Sequence, residues 1–338
     1  MSLVDNAIYV GGERVASPET LDDTFELLRE QNGMAWIGLY RPGEAEICAV
    51  AAEFGLHQSA VDDAIAAHQR PKLERYGSAL FAVLRPARYI EATEKVEFGE
   101  LHVFVGPDFV VTVRHAESPD LARVRRRLEG EPDVLRAGPE SVLYAIIDQV
   151  VDEYVPVIAG LENDIDEIED ELFRGEATVS RRIYELAREV IEFQRATHSL
   201  LHLITSLEDG FDRYRVPHDL QHRLRLVRGH SARIAERADS FRAIVQNALT
   251  LRSTLINQQQ NDEMRHLAET SLAQSEEVKK ISGWAAILFA PSIVGTIYGM
   301  NFDDMPELHW RLGYPFAIVA MALTSGLLYV VFKRRRWL

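Results

Sequence analysis

Two long uncharged runs near the end of the chain constrain its fold more than any other feature. Residues 281–302 form a run of 22 without Asp, Glu, Lys or Arg, and residues 312–332 form another of 21. At about 1.5 Å of rise per residue, a helix over either run covers the roughly 30 Å hydrocarbon core of a bilayer. A buried hairpin in a soluble protein is the alternative, but core helices rarely stay uncharged over this length. The sequence therefore predicts two transmembrane helices, over residues 281–302 and 312–332.

The charges beside these runs predict their orientation. Lys279 and Lys280 precede the first run, and the sequence Lys-Arg-Arg-Arg follows the second at residues 333–336. The loop between the runs, residues 303–311, holds three acidic residues and one arginine. Because an excess of Lys and Arg marks the cytoplasmic side, we expect both termini on the cytoplasmic side of the cell membrane. Residues 303–311 are then an external loop, and residues 333–338 a basic cytoplasmic tail.

The overall composition excludes several partners and compartments. The chain of 338 residues has 37 Lys plus Arg against 52 Asp plus Glu, a formal net charge of −15. Such an acidic chain is poorly suited to bind phosphate backbones, so nucleic acid is not predicted as a partner. Cys48 is the single cysteine, which excludes an intrachain disulfide. The start of the chain lacks the pattern of a secretory signal, so we expect most of it in a reducing compartment.

The region before the uncharged runs predicts two further parts. Residues 1–135 alternate strand and helix patterns, which indicates a cytoplasmic α/β domain. Strands are predicted over residues 35–40, 79–84, 96–105 and 108–113, and helices over residues 44–54 and 60–68. Residues 136–216 predict long antiparallel helices, over 141–173 and 178–207. Seven acidic residues at 162–171 indicate either a solvated helix face or a surface that gathers cations.

The segment before the first uncharged run predicts a helical stalk. Pro217 and Pro291 bracket 73 residues without proline and with helical apolar spacing, enough for one helix of about 110 Å. Its part over residues 217–280 is the predicted cytoplasmic stalk. Residues 260–267 recur 14 positions later as residues 274–281, an interval of two heptads. A stripe of small and apolar residues continues from there into the first run, and it suits either coiled-coil packing or the wall of a pore.

No catalytic constellation emerges from the sequence. His198 and His202, and likewise His218 and His222, stand four residues apart, as zinc ligands on one helix face would. No third ligand accompanies either pair, so we interpret these histidines as structural. The chain has no glycine-rich phosphate loop, nucleophile elbow or kinase signature. The sequence therefore does not predict an enzyme.

A motif marks the end of the first uncharged run. Residues 298–302 read Tyr-Gly-Met-Asn-Phe, and residues 305–307 read Met-Pro-Glu. Here the sequence resembles the CorA family of divalent-cation channels, whose signature is Gly-Met-Asn followed by a Met-Pro-Glu loop. Residues 68–76 and 99–105 extend the resemblance over nearly the whole chain. It implies an α+β membrane protein, a homopentamer with an N-terminal cytoplasmic α/β domain, a long helical stalk and two C-terminal transmembrane helices.

The resemblance also implies roles for individual residues. The family's outer ion filter corresponds to Gly299, Met300 and Asn301, with Asn301 and Gly299 contacting Mg²⁺ through its water shell. Positions that line the pore in the family correspond to Thr296, Ser292, Phe289, Ile281 and Val278, the last two at an apolar constriction. The external acidic residues are Asp303, Asp304 and Glu307, and the basic collar at the cytoplasmic mouth is Lys333, Arg334, Arg335 and Arg336.

The resulting expectation is a channel that takes up Mg²⁺, and also Co²⁺ and Ni²⁺, down the membrane potential. No resident cofactor is predicted. Family members that sense cytoplasmic Mg²⁺ place acidic residues just upstream of the stalk, where this chain is basic and apolar at residues 224–231. A regulatory Mg²⁺ therefore has no assigned site. A zinc transporter of the same superfamily and a non-conducting, membrane-anchored sensor or scaffold are the alternatives.

Overall fold

The structure is a computed structural model that describes residues 2–67, 70–174, 179–214, 216–300, 306 and 310–338. The chain divides into two compact units, Met1–Arg252 and Ser253–Leu338. The strands are β1 (Leu3–Val10), β2 (Glu13–Ala16), β3 (Met34–Tyr40), β4 (Lys72–Tyr76), β5 (Ala79–Leu84), β6 (Ala87–Ile90), β7 (Lys95–Phe98), β8 (Leu101–Val105) and β9 (Phe109–Arg114). The helices are α1 (Leu21–Gln31), α2 (Glu44–Phe54), α3 (Gln58–Ala66), α4 (Leu121–Glu129), α5 (Pro132–Leu135), α6 (Pro139–Arg174), α7 (Val179–Glu208), α8 (Phe211–Tyr214), α9 (His218–Tyr298) and α10 (Gly313–Arg334).

The first unit is built on a seven-stranded sheet in the order β2-β1-β3-β9-β8-β5-β4. The pairing of β3 with β9 is parallel, and the other pairings are antiparallel. Successive side chains of β5 enter different cores, because neighbouring residues of a strand point to opposite faces. Leu80 and Ala82 belong to the core shared with α6 and α7, whereas Phe81 and Val83 belong to the core shared with α1, α2 and α3. Helices therefore cover both faces of the sheet.

One predicted strand is wrong. The run over residues 96–105 forms two strands, and β7 pairs with β6 in a separate two-stranded sheet while β8 joins the main one. The break falls at Gly99, where an added Cβ would lie 2.5 Å from the Cβ of Ala116. The sequence pattern missed this turn because apolar residues continue on both sides of the glycine. Several short elements were also not predicted: the strands β1, β2, β4 and β6 and the helices α1, α4, α5 and α8.

Long helices complete the first unit. Their buried side chains recur every three or four residues, as in Ile146, Val150, Tyr154 and Val157 of α6. The same core includes Leu224 of α9. The predicted helices over 141–173 and 178–207 correspond to α6 and α7. The hairpin of β6 and β7 packs on α6, where the absence of a side chain at residue 160 leaves room for a tyrosine ring.

Three of the seven acidic residues at 162–171 pair with arginines of other helices. Arg182 pairs with Glu167 and Glu171, and its guanidinium also lies 2.9 Å from Glu94 on the β6–β7 turn. Arg237 of α9 pairs with Glu162. These ion pairs join α6 to neighbouring elements, so the structure favours a role in packing over a free surface that gathers cations.

The second unit contains the part of α9 after Arg252 and the whole of α10. Helix α9 continues through Pro291 as far as Tyr298, and α10 covers the second uncharged run. Residues 253–281 are exposed along their whole length. Both apolar segments are long enough to cross a membrane. In the most apolar 18 residues of each helix, only 17% are buried for α9 and 6% for α10. Soluble core helices are mostly buried, so this exposure argues against the alternative of a buried hairpin.

Candidate functional site

The two apolar helices touch through small side chains. On α9, Gly283, Ile287 and Ala290 are buried, and on α10 Ala317 is buried. A Cβ added at Gly295 would lie 3.4 Å from the terminal methyl group of Met321 on α10. Gly283, Ile287 and Ala290 are three or four residues apart and therefore share one side of α9. Close approach through small residues is the usual way in which membrane helices pack.

The predicted pore-lining residues occupy the other side of α9. Val278, Ile281 and Phe289 are 54%, 69% and 69% exposed, and Ser292 and Thr296 are exposed as well. Phe289 follows Ile287 by two residues, which is about 200° around a helix, so it points away from α10. The structure thus brings the five predicted lining positions onto one face, and that face has no partner among the described residues of the second unit. Their role in ion conduction stays a prediction.

Helix α9 leads directly into the predicted filter. The backbone N–H of Gly299 donates to the carbonyl oxygen of Gly295 at 2.9 Å, and that of Met300 donates to Ile297 at 3.3 Å. Gly299 and Met300 are both exposed. Asn301 and the predicted external acidic residues lie outside the described residues; the latter are Asp303, Asp304 and Glu307. The structure therefore places the first two residues of the predicted filter directly after the helix.

The residues of the predicted basic collar lie beside the other end of this apolar segment. Lys333 and Arg334 form the last turn of α10, and Arg335 and Arg336 follow it, all of them exposed. The chain then turns back, so that the side chain of Leu338 lies 3.6 Å from the Cβ position of Gly283 on α9. Lys279 and Lys280 precede Gly283 by about one turn. Positive charge thus gathers at one end of the helix pair, as the positive-inside rule requires of a cytoplasmic end.

The exposed surface of the second unit is strongly apolar. Leu288 and Ile293 of α9 are 71% and 62% exposed, as are Leu323 and Leu327 of α10 at 67% and 66%. A surface of this kind in water would drive aggregation, whereas lipid tails would cover it without cost. The unit is therefore suited to a bilayer.

The histidines and the stalk acids do not form a metal centre. No group of three or more His, Cys, Asp or Glu with suitable geometry occurs in the described part of the chain. The ring Nε2 of His198 lies 2.9 Å from a carboxylate oxygen of Asp239. Hydrogen bonds from Gln194 and His198 hold the pKa of Asp239 below its usual value. Leu224 and Val227, in the stretch that corresponds to the sensing acids of other family members, are buried core residues.

Comparison with known proteins identifies the family. The family described as CorA-like Mg²⁺ transporter protein matches residues 31–334. The chain belongs to this family. The cobalt/magnesium transport protein CorA of Thermotoga maritima is 26% identical over 317 residues, which cover 92% of this chain and 85% of that protein. The protein YfjQ of Bacillus subtilis is 30% identical over 309 residues, 89% of each chain.

Solved structures support the same fold. The complete CorA magnesium transporter of Methanocaldococcus jannaschii matches with a TM-score of 0.58 at 15% identity, over 100% of both chains. The chain therefore has a CorA-like fold, with an N-terminal soluble α/β domain, a long helix and two C-terminal apolar helices. CorA-like proteins are membrane transporters of divalent cations, not enzymes. The resemblance inferred from Gly299-Met300-Asn301 is confirmed at this level.

Sequence reasoning missed one residue of the helix pair. Ser325 of α10 contacts the backbone of α9, and its hydroxyl bonds a carbonyl there. A serine within an otherwise apolar run was the available signal, because polar side chains in membrane helices commonly bond a neighbouring helix.

Proposed function

We propose that this chain forms a channel for the uptake of Mg²⁺, and also of Co²⁺ and Ni²⁺, down the membrane potential. The observation that carries the proposal is the placement of the CorA signature. Gly299 and Met300 directly follow a helix whose predicted lining face is exposed and turned away from α10. The same face carries the weakly polar side chains of Ser292 and Thr296, which suit the wall of a water-filled pore.

The pore is shared between subunits. Two helices cannot enclose a conduit, so several copies must contribute α9 to a common axis, and the CorA resemblance implies five. The unpartnered face of α9 supports this arrangement, with Val278 and Ile281 at an apolar constriction where loss of water blocks ions. The basic residues 333–336 then surround the cytoplasmic mouth. Residues 303–311 connect the helices outside the cell membrane.

The filter acts on hydrated ions. Mg²⁺ gives up its water reluctantly, and a site that stripped it would need an octahedron of oxygen ligands. A ring of Asn301 amides with Gly299 carbonyls bonds the first-shell waters instead, strongly enough to attract the ion and weakly enough to release it. The acidic residues Asp303, Asp304 and Glu307 concentrate cations outside. A divalent ion that crosses about 100 mV gains about 4.6 kcal/mol, so uptake needs no ATP.

The test is Mg²⁺ uptake into proteoliposomes that contain a Mg²⁺-sensitive dye. We expect the wild-type chain to carry Mg²⁺, and Asn301→Ala to abolish the flux because the ring of filter amides is lost. Asn257→Ala is the matched control, since this exposed asparagine of α9 lies before the apolar segment. It should transport like the wild type.

Other outcomes point to the alternatives. If both proteins carried Zn²⁺ but not Mg²⁺, the ion would be wrong and the zinc transporter correct. If assembled oligomers carried no divalent cation at low or high internal Mg²⁺, the chain would be a sensor or scaffold.

A further inference from the structure

Pro291 removes one hydrogen bond from the middle of the apolar part of α9. In an α-helix each backbone N–H bonds the carbonyl four residues earlier, and proline has no N–H. Helix α9 nevertheless continues through Pro291. The carbonyl of Ile287, four residues earlier, has therefore lost its helical donor. Ile287 is only 9% exposed, and an unpaired carbonyl in a hydrocarbon environment is costly.

Ser325 of α10 supplies a replacement donor. Its Oγ lies 3.3 Å from the carbonyl oxygen of Ile287. The neighbouring hydroxyl of Thr324 bonds the carbonyl of Ala320 at 2.9 Å, and that of Thr296 bonds Ser292 at 2.7 Å. Both of these bonds stay within one helix. The bond of Ser325 differs because it joins two helices, and it does so at the carbonyl that the proline leaves free.

We infer that Ser325 is a positioning residue for ion transport, which bonds the Ile287 carbonyl in place of the N–H that Pro291 lacks. The inference rests on the proposed function, because the segment after Pro291 carries the lining and filter residues. Proline is where helices bend, since the missing bond and the ring's clash with the preceding turn weaken the helix. The bond from Ser325 fixes α10 to α9 at this point, and so fixes the direction of the segment that ends at Gly299.

A double-mutant cycle tests the inference. Ser325→Ala is made in the wild-type chain and again together with Pro291→Ala, which restores a backbone N–H for Ile287. Ser325→Thr keeps the hydroxyl. Thr324→Ala is the matched control, because it removes an adjacent hydroxyl that bonds its own helix. Each full-length variant is purified as an oligomer, and its thermal midpoint in detergent and its Mg²⁺ uptake in proteoliposomes are measured.

We expect Ser325→Ala alone to lower the midpoint by about 2–4 °C and the uptake rate by about threefold. Ser325→Thr and Thr324→Ala should behave like the wild type. In the chain with Pro291→Ala, the further change Ser325→Ala should alter neither quantity, because Ile287 then has a donor on its own helix.

Two results would overturn the inference. Equal losses from Ser325→Ala with and without Pro291→Ala would mean that the serine acts by packing alone. No loss in the wild-type chain would mean that its bond does not matter. Failure of the proposed function looks different, since a wild-type chain that carries no divalent cation would still give the thermal cycle.

Discussion

The two units treat their apolar side chains in opposite ways. In Met1–Arg252, the largest side chains are enclosed, with Trp36 at 1% and Phe193 at 0% exposure. In Ser253–Leu338, Leu288 and Phe289 are 71% and 69% exposed. The first unit therefore contains its own core, because its helices and sheet cover one another. The second unit has apolar surface that only lipid or further copies of the chain can cover.

Polar contacts differ in the same direction. In the first unit, long-range pairs join separate elements, such as Tyr89 with Asp164 and Arg223 with Glu131. In the stalk part of the second unit, Gln259 bonds Glu263 one turn along the same helix. Contacts of this second kind contribute little to a fold. One chain thus combines a domain that encloses its own core with a segment whose apolar surface must be covered by lipid or by further copies of the chain.

The largest effect is expected from a pair of matched alanine substitutions, one in each unit. Phe193→Ala removes a fully buried ring that packs edge-on against Tyr154, with ring centroids 5.3 Å apart. It should lower the free energy of unfolding of the first unit by about 3–5 kcal/mol. Leu288→Ala removes an exposed side chain and should change that free energy by less than about 0.5 kcal/mol.

Urea unfolding in detergent, followed by tryptophan fluorescence, measures both variants. Trp36 is the buried tryptophan of the first unit, so Trp284, Trp310 and Trp337 are first replaced by phenylalanine. The signal then reports the first unit alone. A loss from Leu288→Ala as large as that from Phe193→Ala would show that the two units do not differ as described.

Sequence patterns predicted the second unit better than the first. Two uncharged runs define α9's apolar end and α10 without any tertiary information, because a bilayer imposes a fixed length. In the first unit, short strands such as β4 depend on pairing with β5, and the pattern alone does not show that partner. The run over residues 96–105 looked continuous because its break at Gly99 has a tertiary cause. Ala116 lies where a side chain at residue 99 would have to be, and the local pattern does not show this neighbour.

In the candidate site too, the features set by local sequence were predictable and those set by tertiary contacts were not. The signature Gly299-Met300-Asn301 and the lining stripe were readable because residue identity and helical spacing carry them. The bond between Ser325 and Ile287 was not, because it depends on which faces of two helices meet. Likewise, the partner of Glu167 and Glu171 could not be assigned before Arg182 was placed beside them.

A medium effect is expected at the buried pair that fastens the β6–β7 hairpin to α6. The hydroxyl of Tyr89 donates to a carboxylate oxygen of Asp164 at 2.8 Å, and Asp164 is 6% exposed. Burial raises the pKa of Asp164, and the bond from Tyr89 opposes that rise. Tyr89→Phe leaves the carboxylate without this donor, which should cost about 1–3 kcal/mol at pH 7.

The pH dependence gives this prediction its sign. An acid whose pKa is higher in the folded state binds more protons there, so stability falls as pH rises between the unfolded and folded values. Tyr89→Phe raises the folded pKa further. Its deficit should therefore shrink as the pH falls toward the ordinary value of 3.8. Asp164→Asn is the control, and in that variant the effect of Tyr89→Phe should lose its pH dependence. A deficit of constant size would contradict the prediction.

The smallest effect is expected from substituting exposed acidic residues of α9. One of them, Asp239, lies in the first unit, and the other, Glu269, lies in the second. Asp239 accepts hydrogen bonds from Gln194 at 2.6 Å and shares one with His198, both on α7, whereas Glu269 lies on the exposed stalk. Asp239→Asn should cost about 0.2–1 kcal/mol, because exposed ionic contacts contribute little, and the cost should shrink in high salt.

The lowered pKa of Asp239 means that its contribution is complete above the ordinary value of 3.8 and is lost as the pH falls below it. Glu269→Gln should leave the free energy of unfolding of the first unit, measured by urea unfolding, unchanged. Equal effects at the two positions would show that the stalk is held by contacts as specific as those of the first unit.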